Sequence, residues 1–242
     1  MPGRGQVLID VLRDPLPHSI IGTISTMPAK LILFFTDKGG AGKTLGSMTL
    51  AAYLARSHKV LVVDADELQT ATRWAAQADD AKPFPCPVIG LSAAGGKIHR
   101  ELQRLSEHYE FVIVDCPPSV TSPIPQSALL VADLVIIPTR PSLADIWGVK
   151  DTLALVERAK VVNDSLKVAF LVNALTPRTQ LGQDSLEILS TLDGHLLTSI
   201  LRQRQAYPQS LVLGGTVWDV PGARDARKEV EAFATEVLSL LQ

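Results

Sequence analysis

Residues 31–44, LILFFTDKGGAGKT, decide the fold of this chain. An apolar run leads into a loop with three glycines, and a segment of helical character starts near Leu45. Strand, glycine loop and helix in this order form the context of a phosphate-binding loop. Gly39, Gly40 and Gly42 leave the backbone N–H groups open to close approach by phosphate oxygens. The helix that follows adds the positive end of its dipole, so the stretch predicts an anion site.

Two lysines and a threonine determine the predicted chemistry of this loop. In phosphate-binding loops the lysine before the helix places its ammonium on the β- and γ-phosphates, and the next hydroxyl reaches magnesium. Lys43 and Thr44 occupy these positions. The generic pattern GxxxxGK[ST] fails at its first position, where Asp37 replaces glycine, and a second lysine, Lys38, opens the loop. We therefore expect a nucleoside triphosphate site with an additional cation.

Short apolar runs alternate with helix-length amphipathic stretches along the rest of the chain. The runs are nearly continuous in Val, Ile and Leu, as expected when helices cover both faces of a parallel sheet. The predicted strands are residues 31–36, 60–64, 88–91, 111–115, 134–138, 168–173 and 196–201. This alternation predicts an α/β fold with a doubly wound, mostly parallel sheet of about seven to eight strands and helices on both faces.

Two of the predicted strands end in aspartate. The strand 60–64 ends at Asp64 and is followed by Asp66, and the strand 111–115 ends at Asp115. Ligands bind outside the carboxyl ends of the strands in open α/β sheets, so these carboxylates are expected at the binding edge. A lone aspartate in such a position can also cap the following helix, and that alternative stays open for Asp64 and Asp66.

Three motifs in this order carry a family resemblance. KGGAGKT (38–44), VDAD (63–66) and VIVDCPP (112–118) resemble motifs of the ParA/MinD superfamily of deviant Walker A ATPases. Small ParA-type partition proteins are the most similar group. The resemblance runs from about residue 30 to the C-terminus and is strongest over residues 31–140.

The resemblance implies a P-loop ATPase that binds ATP and Mg²⁺ and hydrolyses ATP slowly without a partner. It makes Lys38, Lys43 and Asp66 the catalytic residues. Lys38 is implied to cross a homodimer interface to the ATP of the second subunit. An added cation there neutralises charge on the transferred phosphoryl group. Asp66 is implied to orient the attacking water.

Nucleotide and metal contacts follow from the same resemblance. It assigns nucleotide contacts to Lys38, Gly39, Gly40, Ala41, Gly42, Lys43, Thr44, Leu45 and Asn173. It assigns magnesium contacts to Thr44, Asp64 and Asp115. Leu45 departs from the family, which usually has a second threonine there, and Glu67-Leu68 replaces the usual Pro-Gln. Asn173 is implied to face the adenine, although it can also be a plain turn residue.

The implied biology is plasmid or chromosome partition. ParA-type proteins dimerise with ATP, bind double-stranded DNA without sequence preference, and are released when a centromere-binding or adaptor protein stimulates hydrolysis. A local basic cluster is the candidate DNA contact, and its members are Arg202, Arg204, Arg224, Arg227 and Lys228. Phosphate contacts would make such binding salt-dependent. An ordinary solvated face remains the alternative, because an arginine cluster alone is weak evidence.

Other functions share the same fold and ATP chemistry. They are the positioning of another cargo, a role in conjugative DNA transfer, a MinD-like membrane-cycling regulator, and an ATP-binding switch without hydrolysis. The predicted helix at residues 225–242 has one apolar stripe, and its polar face after Lys228 carries Glu229, Glu231 and Glu236. Membrane-surface helices are basic on that face. We therefore expect this helix to pack on the sheet and expect no membrane contact.

Composition sets the remaining expectations. The 242 residues are 46% hydrophobic with a net charge of −2, which suits one α/β domain and excludes a polycation. Two cysteines without metal-site spacing predict reduced, buried thiols. Residues 1–29 predict a flexible arm before a single ATPase domain at 30–242, with translation expected to begin at Met27. Without an apolar run of membrane-spanning length, we expect a cytoplasmic, nucleoid-associated protein.

Overall fold

The computed structural model describes residues 29–175 and 180–242. The strands of this part are β1 (Lys30–Phe34), β2 (Val60–Asp64), β3 (Val88–Gly90), β4 (Phe111–Asp115), β5 (Leu134–Thr139), β6 (Lys167–Leu175) and β7 (His195–Arg202). They form one parallel sheet in the order β3-β2-β4-β1-β5-β6-β7. The predicted doubly wound sheet is therefore confirmed. The predicted arm, apart from Ala29, lies outside the described residues, as does Met27.

Eight α-helices connect and flank these strands in the described part of the chain. They are α1 (Lys43–Leu54), α2 (Thr70–Ala76), α3 (Ile98–Ser106), α4 (Pro123–Ala128), α5 (Leu143–Lys160), α6 (Gln180–Ser190), α7 (Ala206–Val212) and α8 (Arg224–Leu240). A 3-10 helix, Ser92–Lys97, precedes α3. No helix among the described residues is long and apolar enough to cross a lipid bilayer.

The helices cover both faces of the sheet. Side chains of α1, α2, α7 and α8 pack on one face, and those of α3, α4, α5 and α6 pack on the other. Alternate residues of β1 point to opposite faces of the sheet. Ile32 and Phe34 belong to the first apolar cluster, on the first face, and Leu31 and Leu33 belong to the second apolar cluster, on the second face. Burial on both faces explains the continuous apolar runs of the strands.

The sheet reverses its winding at β1. This strand lies between β4 and β5, with the earlier strands on one side and the later strands on the other. The crevice at such a switch point is the usual ligand site of an open α/β sheet. In the strand register Asp115 pairs with Phe34 of β1 and with Asp64 of β2. The two predicted carboxylates therefore lie side by side at the carboxyl edge.

The last helix packs as predicted on the sheet. Val230, Phe233, Ala234 and Val237 of α8 are 0% exposed and belong to the first apolar cluster. Because this stripe is buried in the core, it is not available as a membrane-binding surface.

One part of the α8 prediction is wrong. Glu229 was expected on the solvated polar face, but it is buried. It accepts hydrogen bonds from Arg202, Arg204 and the Tyr207 hydroxyl, at 2.8 to 3.2 Å. Burial alone would raise the pKa of Glu229, but these donors outweigh it and lower the pKa. Glu236 is also engaged, since it accepts the backbone N–H groups of Thr198 and Ser199.

Glu229→Ala is expected to destabilise the fold by about 3 kcal/mol, because it removes the shared acceptor of two guanidinium groups and a buried hydroxyl, and Arg204 keeps its ion pair with Asp225 alone. The control is Glu231→Ala on the same helix. That side chain is 47% exposed and makes a 3.9 Å ion pair with Arg56. The control should lose under about 0.5 kcal/mol. Urea unfolding measures both, and similar losses would contradict the central role of Glu229.

Candidate functional site

The glycine loop ends at the N-terminus of α1. Gly42 is the N-cap residue with φ of 105°, and it has no side chain that could occupy the first N–H groups of the helix. At Gly39 and Gly40 an added Cβ atom would meet no described heavy atom within 4 Å. The loop thus has open space where side chains would otherwise stand, so its backbone is accessible to close approach by a phosphate.

Asn173 fixes the end of this loop from β6. Its Nδ2 atom donates to the Ala41 carbonyl at 2.9 Å. A Cβ atom on Gly42 would lie 2.0 Å from the same Nδ2 atom, so only glycine fits there. The predicted contact of Asn173 with adenine stays a prediction. Leu45 is partly buried and packs against the first apolar cluster, and its nucleotide contact likewise stays a prediction.

Lys43 is a buried cation at the first residue of α1. It is 7% exposed, and its Nζ atom donates to the Lys38 carbonyl at 3.1 Å. Burial lowers its pKa, while the nearby carboxylates of Asp115, Asp66 and Asp37 act in the opposite direction. An anionic ligand beside this ammonium would favour the charged form further.

Thr44 and Asp115 meet across the switch point. The Thr44 hydroxyl donates to Asp115 Oδ2 at 2.6 Å. Asp115 is 1% exposed, and burial raises its pKa to about 7, against the bond from Thr44. Its Oδ1 atom is buried and has no hydrogen-bond partner among the described residues. A hydroxyl and a carboxylate with a free oxygen form a donor set that suits Mg²⁺, a hard cation that prefers oxygen.

Asp64 and Asp66 follow the neighbouring strand. Asp64 is fully buried, and its oxygens accept bonds from the Asp66 N–H at 3.2 Å and from the Thr72 N–H and hydroxyl at 2.8 and 3.0 Å. Asp64 therefore holds the turn into α2, and its predicted place near magnesium stays a prediction. Asp66 is half-buried, accepts the Leu68 N–H at 3.0 Å, and lies close enough to affect Lys43.

Sequence reasoning missed several residues around the loop. Asp37, noted only as a departure from glycine, accepts the Val120 N–H at 2.8 Å and donates its own N–H to Thr152 at 3.1 Å. Gly148 of α5 lies directly under the stem of Lys38. In the sequence, the aspartate in place of glycine at position 37 could have indicated these contacts. Thr152 and Gly148 carry no motif of their own.

The residues of the predicted basic cluster fall into two groups, those with protein partners and those exposed to solvent. Arg202 and Arg204 pair with Glu229, at 3.1 and 2.8 Å. Arg227 donates to the carbonyls of Val217, Trp218 and Val220. Arg224 and Lys228 are exposed, and neither forms an ion pair within residues 29–175 and 180–242. Of the predicted DNA contacts, these two are the cations free to meet phosphates.

Asp115→Asn is expected to stabilise the protein in the absence of metal above about pH 7. Because the pKa of about 7 in the folded state exceeds the ordinary value of 3.8, the folded state retains a proton that the unfolded state loses. The contribution of Asp115 to wild-type stability should therefore fall as the pH rises from about 4 to about 7. The amide cannot ionise, so the variant escapes this loss, which is on the order of a few kcal/mol at high pH. Urea unfolding in the presence of a chelator, at about pH 5 and about pH 8, measures the stability of both proteins. The same pH dependence of stability in the two proteins would contradict the prediction.

Known proteins are similar to this chain in sequence. The AAA domain family model matches residues 29–86 and 87–168. The chain is 29% identical over 202 residues to the maintenance of carboxysome distribution protein A of Halothiobacillus neapolitanus, covering 83% of this chain and 93% of that protein. It is 31% identical over 180 residues to the chromosome-partitioning ATPase Soj of Thermus thermophilus, covering 63% and 72%.

A solved structure shows the same fold. The ATP complex of a Cyanothece McdA variant matches with a TM-score of 0.71 at 18% identity, covering 86% of this chain and 96% of that chain. The family match spans more than half of the chain, and the deviant loop with Lys38 and Lys43 lies within it. The chain therefore belongs to the AAA domain family, as one of its ParA/MinD-type P-loop ATPases.

Proposed function

We propose that this chain binds ATP with Mg²⁺, dimerises in that state, hydrolyses ATP slowly, and uses the cycle to distribute a cargo along DNA. The buried Lys43 ammonium at the open N-terminus of α1 is the observation that carries the proposal. Burying a cation is costly unless it is paired. Its described partners are a carbonyl and carboxylates, and the space before the loop is open, which suits a triphosphate.

The residues of the loop have separate roles in this proposal. The N–H groups of Gly39 to Gly42 and the Lys43 ammonium hold the phosphates, with Ala41 kept in place by Asn173. Thr44 and Asp115 hold Mg²⁺, which when bound neutralises charge on the phosphate oxygens. The half-buried Asp66 lies close enough to affect Lys43, and it orients water for attack on the phosphate.

Dimerisation completes the site in this proposal, with Lys38 reaching the nucleotide of the second subunit. Two exposed apolar side chains near the site support such an interface. Trp147, 64% exposed, precedes the glycine under Lys38, and Leu68, 65% exposed, lies two residues after Asp66. Large exposed apolar side chains, aromatic ones above all, are typical anchors of protein interfaces.

The cargo and the partners are proposed from the relatives. One relative is named for carboxysome distribution and another for chromosome partition. Both roles suit a ParA-like cycle on nucleoid DNA. Such a cycle takes place in the cytoplasm and uses an adaptor protein that stimulates hydrolysis. We propose a large intracellular cargo, with a plasmid or chromosome bound through a centromere-binding protein as one form of it. A MinD-like cycle on membranes is less favoured, because the apolar stripe of α8 is buried in the core.

Lys43→Ala is expected to abolish ATP binding, because it removes the buried cation that faces the phosphates. Loss of affinity should exceed about a hundredfold, as for other removed phosphate-binding charges. Asp66→Ala should retain ATP binding but lose turnover. Equilibrium titration with a fluorescent ATP analogue and phosphate-release assays measure the two properties. Normal ATP affinity of Lys43→Ala would refute the assignment of the loop.

Charge reversal of the exposed cations Arg224→Glu and Lys228→Glu is expected to weaken binding to duplex DNA at least about tenfold, and to reduce its salt dependence. The control is Lys97→Glu with Arg100→Glu, a pair of exposed cations near α3 on the opposite side of the sheet. Fluorescence anisotropy with ATP at two salt concentrations measures the affinity. Equal losses in the two double variants would place the DNA contact elsewhere.

A further inference from the structure

Asp37 connects three segments of the chain at the front of the glycine loop. Its Oδ1 atom accepts the N–H of Val120, in the segment between β4 and α4, at 2.8 Å. Its backbone N–H donates to the Thr152 hydroxyl of α5 at 3.1 Å. Glycine, the usual residue at this position, could form the second bond but not the first. The aspartate therefore adds a specific anchor directly before Lys38.

Thr152 and Gly148 lie one turn apart on α5. Thr152 is fully buried, and its hydroxyl donates to the Gly148 carbonyl at 2.8 Å. A Cβ atom at position 148 would lie 2.6 Å from Cγ, 3.2 Å from Cδ and 2.9 Å from Cε of Lys38. The Lys38 stem thus crosses the helix at a point where an added Cβ atom would displace the stem from its path.

The direction of Lys38 is set by this packing. Within the described residues its ammonium forms no ion pair, whereas the Lys43 ammonium is held by the Lys38 carbonyl. A lysine stem is flexible and loses rotamer entropy when it is ordered. Preordering the stem reduces the cost of placing the ammonium at a distant target.

We propose that Asp37, Thr152 and Gly148 form a lysine seat, which fixes the direction of the Lys38 side chain before a second copy of the chain binds. Asp37 is then a positioning residue that acts through Lys38 and does not itself touch the nucleotide. This inference rests on the proposed role of Lys38 in an ATP-dependent dimer. Because Val120 follows Asp115, the proposed metal ligand, by five positions, the seat also connects Lys38 to the segment that leaves the proposed metal site.

The test measures ATP affinity of the monomer and ATP-dependent dimer affinity separately. Gly148→Ala is expected to leave ATP affinity within about threefold of wild type. At saturating ATP, both Asp37→Ala and Gly148→Ala are expected to weaken the dimer about tenfold. Asp37→Asn keeps an acceptor oxygen for Val120 and should restore dimer affinity to within about threefold. Sedimentation velocity with ATP measures the dimer, and a fluorescent ATP analogue measures nucleotide binding.

Two matched controls separate the seat from general effects on folding. Asp79→Ala removes another aspartate acceptor of a backbone N–H, to Ala81 at 2.8 Å. Gly96→Ala adds a Cβ atom that meets its nearest described neighbour at 3.4 Å, an ordinary contact. Both controls should dimerise as wild type.

A double-mutant cycle gives the decisive result. If the seat acts through Lys38, then Gly148→Ala and Asp37→Ala should change dimer affinity by less than about twofold in a Lys38→Ala background. Additive losses in that background, failure of Asp37→Asn to restore the dimer, or wild-type dimer affinity of both seat variants would each overturn the proposal.

If Gly148→Ala does not fold, the comparison of Asp37→Ala with Asp37→Asn decides. A wild-type protein that does not bind ATP, or does not dimerise with it, would instead refute the proposed function.

Discussion

The site depends on the burial of one ammonium, that of Lys43, among carboxylates at the switch point of the sheet. Asp115, Asp66 and Asp37 all lie close enough to raise the pKa of Lys43 against the effect of burial. The carboxylates outnumber the cation, and burial keeps the pKa of Asp115 near 7. An additional cation would stabilise this excess of negative charge, because a buried carboxylate without a partner is costly.

The sheet topology explains why these groups meet. Lys43 and Thr44 follow β1, Asp115 ends β4, and Asp64 ends β2, and these three strands are neighbours. Their carboxyl ends lie at one edge, so residues far apart in sequence share a single crevice. The bond from Thr44 to Asp115 spans 71 residues and joins the two halves of the predicted metal site. The positions of the loop, of the proposed metal ligands and of the proposed water-orienting Asp66 thus follow from strand order.

Much of this arrangement was predictable because local signals agree with the fold. The apolar runs predicted all seven strands to within one or two residues, and the glycine loop predicted the start of α1. Predictions were weaker where a charged side chain has a distant partner. Arg202 and Arg204 looked like a free basic patch, but Glu229 holds them across 25 to 27 positions of the chain. Charge counts along a sequence cannot identify such pairs.

The amino-acid sequence by itself determined the strand–loop–helix unit, the order of the acidic strands and the membership of a P-loop family, because these depend on periodicity, glycine and residue type at short range. Only the tertiary structure decided that Asn173 supports Ala41, that Asp37 reaches Val120, and that Lys38 crosses Gly148. These contacts join segments 83 to 132 positions apart. They exist because the sheet brings the segments together, and no local propensity encodes a contact between residues that meet only after the chain has folded.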